Sequence, residues 1–194
     1  MNEWRKVKGK SAILRGILYI YFCLYILMYI TFIFVIDMVH VSLSVMSIFL
    51  VVMPFVLLVI IQKFSLHVSA KRNKGKKQLF TVMMVGLIPL IVCIVQLSIN
   101  AYTSNFNQDR WLNYKEKRVY MVDNLLEEHK MIGKSNEEIT KLLGAPTETR
   151  SWEEGITTLY YLGNERGFIS IDSECLVLQF DRDGRVIEYK VQRD

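Results

Sequence analysis

The sequence predicts a membrane protein with three transmembrane α-helices plus a small C-terminal α+β domain, two helices packed on a three-stranded antiparallel sheet. Three observations predict it. Uncharged runs of 21, 22 and 22 residues occupy 16–36, 41–62 and 79–100. Charge divides along the same line: Met1–Asn100 holds 11 Lys and Arg against 2 Asp and Glu, while Ala101–Asp194 holds 13 against 17. Within the acidic part, the apolar repeat passes from helical spacing to a period of two. The net charge of +5 therefore combines a basic membrane half with an acidic soluble half, and it does not point to a nucleic-acid partner.

Each uncharged run is long enough to span a bilayer core about 30 Å thick at about 1.5 Å per helical residue. Apolar side chains on every face suit a helix surrounded by lipid, whose backbone satisfies itself. The first run follows Arg5, Lys6, Lys8 and Lys10, but it is too long for a signal peptide and no small-residue cleavage pattern follows it. Residues 1–15 thus read as a cytoplasmic tail and 16–36 as a retained span. The connection Asp37-Met38-Val39-His40 carries no Lys or Arg and makes a tight antiparallel hairpin with the span at 41–62. The segment 63–78 carries six, Lys63, Lys71, Arg72, Lys74, Lys76 and Lys77, and reads as a basic cytoplasmic loop before the span at 79–100. By the positive-inside rule the N-terminus is cytoplasmic and the C-terminal domain lies outside the cytoplasmic (inner) membrane.

No Asp, Glu, Lys, Arg or His falls within the three runs, whereas ion-coupled transporters and intramembrane hydrolases usually place ionisable groups there. Pro54 and Pro89 fall at similar depth, and each removes a helical hydrogen bond and can kink its helix. Tyr21, Tyr25 and Tyr29 share one helix face and are placed to hydrogen-bond a neighbouring helix. The spans read as an anchor.

Residues 101–113 read as a short linker or helix extension leaving the bilayer, with Tyr102, Phe106 and Trp111 suited to the interface. The domain is expected over 114–194. Val119, Val122, Leu125 and Leu126 recur at helical spacing from Tyr114 to about Lys130, with Glu, Lys and Arg on the other positions, and Gly133 closes this helix. Ser135 and Glu138 have the spacing of a capping box for a second helix, whose stripe is Ile139, Leu142 and Leu143. Gly144 is suited to a left-handed terminus, and Pro146 stops continuation. Strands follow at Thr157–Leu162, Cys175–Phe180 and Arg185–Gln192, the last two joined by a turn at Asp181-Arg182-Asp183-Gly184, where Gly184 supplies positive φ.

Gly133, Gly144 and Pro146, with Ile139 and Leu143 between them, then Tyr160-Tyr161 and LVLQFDRDGRV over 176–186, make a motif set that resembles the SmpA/OmlA, or BamE-like, extracytoplasmic domain. The resemblance covers about Met121–Val191 and implies a helix-helix-sheet module of the bacterial envelope that is non-enzymatic and contacts other envelope proteins. The lipidated N-terminal Cys of that family has no counterpart here, and three helices stand in its place, so a role in outer-membrane barrel assembly does not carry over.

Chemistry is sparse. Cys23 and Cys93 lie in spans, leaving Cys175 alone outside, where its strand position predicts a buried core thiol. With one His and one Cys the outer domain lacks the ligand set of an ordinary zinc site. Asp181-x-Asp183-Gly184 places its Gly too early for a calcium loop. Glu127-Glu128-His129 are adjacent on a helix and point apart. No phosphate loop or nucleophile elbow appears. The expectation is a protein without enzymatic activity, metal or cofactor.

One segment has more promise. Gly163–Glu174, GNERGFISIDSE, is long for a hairpin connection and sets Phe168, Ile169 and Ile171 among polar neighbours. Either FISI forms a further short strand or packs on the sheet, or the loop presents an apolar anchor to a protein partner, with Trp152, Tyr160 and Arg166 as nearby residues of hot-spot type. The functional expectation is a membrane-tethered interaction or sensing module of the envelope, with the lipid bilayer and an envelope or membrane protein as partners. The competing class is an accessory subunit of a membrane transporter or membrane enzyme in which the helices carry the function.

Overall fold

The computed structural model describes residues 2–68, 72–153, 155–167 and 171–193. It divides into two compact units, Met1–Asp37 with Val41–Ile99, and Met38–His40 with Asn100–Asp194.

The first unit is built from α1 (Asn2–Met38), α2 (Val45–Val68) and α3 (Arg72–Ser104). Each contains a stretch long and apolar enough to cross a membrane, Gly16–Met38, Val45–Ser65 and Phe80–Ser104. The helices exceed the uncharged runs. α1 takes in nearly all of the expected tail, and the expected basic loop is helical up to Val68 and again from Arg72. The reason is that an apolar run measures the length suited to lipid, whereas Lys, Arg and Gln are good helix formers and let the hydrogen-bonded ladder continue. At the other end the hairpin connection runs on to Ser44, further than expected. Ser44 caps α2, its Oγ accepting from Ser47 N at 3.1 Å, and a serine is worth more at that position than inside the helix.

The tyrosines of α1 do hydrogen-bond across the bundle. Tyr21 donates to the Pro54 carbonyl at 2.8 Å, Tyr29 to the Val51 carbonyl at 2.6 Å, and Tyr25 to the Gly86 carbonyl. Val51 and Gly86 each lie three residues before Pro54 or Pro89, next to the carbonyls of Leu50 and Val85 whose usual intrahelical donor the proline removes. Tyr25 and Tyr29 are buried. Gly86 makes room for Leu58 of α2, since a Cβ there would come within 2.9 Å of its side chain.

The second unit begins before the expected domain boundary. The segment read as a linker contains α4 (Gln108–Asn113), and its Trp111, expected at a membrane interface, is fully buried in the domain core. The indole donates to the Leu143 carbonyl at 3.1 Å. After a single 3-10 turn at Lys115–Lys117 comes α5 (Arg118–Glu128). It ends five residues before Gly133, which instead takes φ +85° in the turn beyond, where its N–H donates to the Val186 carbonyl at 2.8 Å. α6 (Asn136–Leu143) carries the expected capping box: Ser135 Oγ accepts from Glu138 N, and Glu138 accepts from Ser135 N at 2.7 Å. Gly144 follows at φ +79°.

The sheet has four strands where three were expected: β1 (Glu148–Trp152), β2 (Gly155–Asn164), β3 (Ser173–Phe180) and β4 (Val186–Arg193), antiparallel throughout in the order β1-β2-β3-β4. The extra strand is β1, exposed along its whole length, so its residues have no apolar alternation to announce them. α5 and α6 supply Val122, Leu125 and Ile139 to a core shared with Tyr160, Leu176 and Phe180. In β3, Leu176 and Leu178 face this core, and Cys175 and Val177 are buried as well.

Candidate functional site

The connection between β2 and β3 is shorter than the twelve residues expected, because β2 continues through Asn164 and β3 starts at Ser173. Eight residues remain, 165–172, and their root is tied down. Glu165 N donates to the Asp172 carbonyl at 2.9 Å, closing the loop. Arg166 bridges two elements: its backbone N–H and Nη2 reach the two Glu174 oxygens on β3, each at 3.1 Å, and Nη1 pairs with Asp123 on α5. Glu165 in turn pairs with Arg193 of β4 at 3.4 Å.

Glu174 is only 2% exposed, and burying a carboxylate is costly without a cation and hydrogen bonds to meet it. Burial works against the Arg166 charge too, but Glu174 and Asp123 more than offset it and hold its pKa above the ordinary value. Arg166 is thus the clamp of the loop root, engaged within the domain.

Of the residues expected to meet a partner, Ile171 is 81% exposed. Its N–H donates to Glu165 at 3.4 Å. Phe168 and Ile169 lie outside the described residues. Trp152 is half-exposed but sits at the other end of the sheet. It pairs with Gly155 at the start of β2, and the ten residues of β2 put about 30 Å between it and the Arg166 loop. The structure therefore does not bring Trp152 and Arg166 together. Tyr160 is fully buried, its hydroxyl donating to the Gly144 carbonyl at 3.1 Å, so it belongs to the core. Among the described residues, no three His, Cys, Asp or Glu side chains gather into a metal-ligating set.

Sequence reasoning missed Asp123 and Glu174. Glu174 stood at the end of a polar stretch, and Asp123 on the polar face of a helix. The one available signal was an arginine and a glutamate at opposite feet of a hairpin. Arg118 was missed as well. Read as a solvated helix position, it is buried, its guanidinium 5.1 Å from the Trp111 ring. It donates to the carbonyls of Trp111 at 2.7 Å and Tyr161 at 3.3 Å.

These features define a class: a chain with three helices of membrane-spanning length and a C-terminal α+β domain whose β2–β3 loop is clamped at its root. Comparison with protein-family models, curated proteins and solved structures gives no match for the chain.

Proposed function

We propose that the chain is a multi-pass protein of the bacterial cytoplasmic membrane, with its N-terminus inside, that presents its α+β domain outside as a non-enzymatic interaction or sensing module. The three apolar helices support the membrane assignment, the Lys and Arg distribution supports the orientation, and the resemblance of the motif residues to SmpA/OmlA domains supports the envelope setting. The observation that carries the reading is the clamped loop. Arg166 of the loop, Glu174 on β3 and Asp123 on α5 fix the root of a connection that leaves Ile171 in solvent. Binding through such a loop loses less conformational freedom than binding through a slack one.

A photocrosslinking residue placed at Ile171, in the full chain in its native membrane, tests this. The reading expects a discrete protein adduct from position 171 and none from position 152, at the far end of β2. Absence of an adduct at 171, or equal adducts at both, overturns the loop as the contact. A reporter fused after Asp194 that is active in the cytoplasm overturns the orientation.

A further inference from the structure

The sheet ends in two open edges of unlike chemistry. β1 is five residues long, and its charges are matched within the strand, with Arg150 Nε 2.7 Å from Glu148 Oε1. β4 is eight residues long. Its first residue is covered, since Val186 N donates to the Lys134 carbonyl at 2.9 Å. Beyond that point Ile187, Glu188, Tyr189 and Lys190 are all exposed, Ile187 at 48% and Tyr189 at 37%. Among the described ion pairs, neither Glu188 nor Lys190 takes part. Open edges of this kind are templates for a further strand, and charged side chains on such an edge discourage pairing unless the partner strand matches them. In β4 the charges stand symmetrically about Tyr189 and are opposite in sign.

We propose that β4 pairs antiparallel with β4 of a second copy of this chain, about a two-fold axis through Tyr189, joining the two sheets into one of eight strands. This register sets Glu188 opposite Lys190 twice, Ile187 opposite Val191 twice, and the two Tyr189 side chains opposite each other, all favourable cross-strand pairs. Glu188 and Lys190 are in register with Gln179 and Val177 of β3, so both lie on the sheet face away from the helices and meet their counterparts on that face. With the axis normal to the sheet, the helix layers of both copies stay on one side and any slip moves two residues at a time. Such a slip brings Glu188 onto Glu188 or Lys190 onto Lys190, so charge fixes the register. A two-fold interface of this kind is self-complementary and closes at a dimer.

The test uses the full chain in mild detergent, with its dimer dissociation constant measured by sedimentation. Glu188→Lys is expected to weaken the dimer about tenfold or more, and Lys190→Glu likewise, because each puts like charges opposite one another at two places. Combining the two substitutions restores the complementarity and should return the constant to within about threefold of the original. In membranes, Tyr189→Cys in a Cys23→Ser background should form a reducible dimer on oxidation, since opposed residues of an antiparallel pair lie at disulfide distance. Ser151→Cys on the β1 edge should not. A chain that stays monomeric, single reversals without effect, a double reversal that fails to rescue, or equal cross-linking at 151 and 189 would each overturn the proposal.

Discussion

Tyr160 shows how a single buried group sets a pH limit on the domain. Burial is the main reason its pKa is pushed up to about 12, with Arg118 acting in the opposite sense. A phenol in the unfolded chain ionises near 10. Below pH 10 both states keep the proton and the full stability is present. Between about 10 and 12 the unfolded chain loses a proton that the folded domain retains, so stability falls as pH rises through that window, by about 2–3 kcal/mol in total. Urea melts of the domain from pH 9 to 12 should show this fall, and Tyr160→Phe should flatten it while also losing the hydrogen bond to Gly144. At the acid end the exposed capping carboxylate of Glu138 has the opposite sign. Its hydrogen bonds with Ser135 hold its pKa below the usual carboxylate range, so the stabilisation is present above about pH 4.5 and is lost as pH falls through the lowered value.

At the scale of elements, the glycines separate strain from collision. Gly163 has φ +127°, and a Cβ there would stand 2.3 Å from the carbonyl oxygen of Glu116 in the 3-10 turn. Gly133 has φ +85° but nothing within 4 Å of such an atom. Gly133→Ala should therefore cost about 1–2 kcal/mol from backbone strain alone. Gly163→Ala should cost more than twice that, because the turn must also move. Thermal melts of the two variants check the order; equal losses would mean that the 3-10 turn gives way freely. The same comparison marks what the sequence made legible. Gly144, Pro146 and the Ser135–Glu138 box act through local geometry, and local geometry is what a sequence displays. β1 exists because β2 offers it an edge, the 3-10 turn packs where Gly163 leaves room, and Arg118 is buried where the nearby Trp111 carbonyl and the distant Tyr161 carbonyl receive it. Glu116 and Gly163 are 47 positions apart and Arg118 reaches a carbonyl 43 positions away, distances that neither composition nor period carries, while β1 pairs only 3 to 11 positions away but has no apolar alternation to show it. The candidate site divides in the same way: the loop was visible as a stretch of sequence, but its clamp ties it to β3 and α5 and was not.

For the whole molecule, the placement of Trp111 redraws the folding unit. A fragment starting at Tyr114, the boundary that composition suggests, lacks this core side chain and leaves the guanidinium of Arg118 short of the carbonyl it reaches at 2.7 Å. Removing a buried tryptophan costs about 3–5 kcal/mol, a large part of the stability of a domain this size. Asn105–Asp194 should therefore melt cooperatively, whereas Tyr114–Asp194 should lack a cooperative transition; a well-folded shorter fragment would show that Trp111 is dispensable. The early position of Trp111 has a further consequence for how the chain is made. The core that encloses it also contains Val186, which the ribosome adds about 75 residues later. During that interval α4 stands outside its finished pocket, with an uncovered indole and the aromatic ring of Phe106 beside it. Any factor that attends the nascent domain must shield this first aromatic segment until β4 arrives to complete the enclosure.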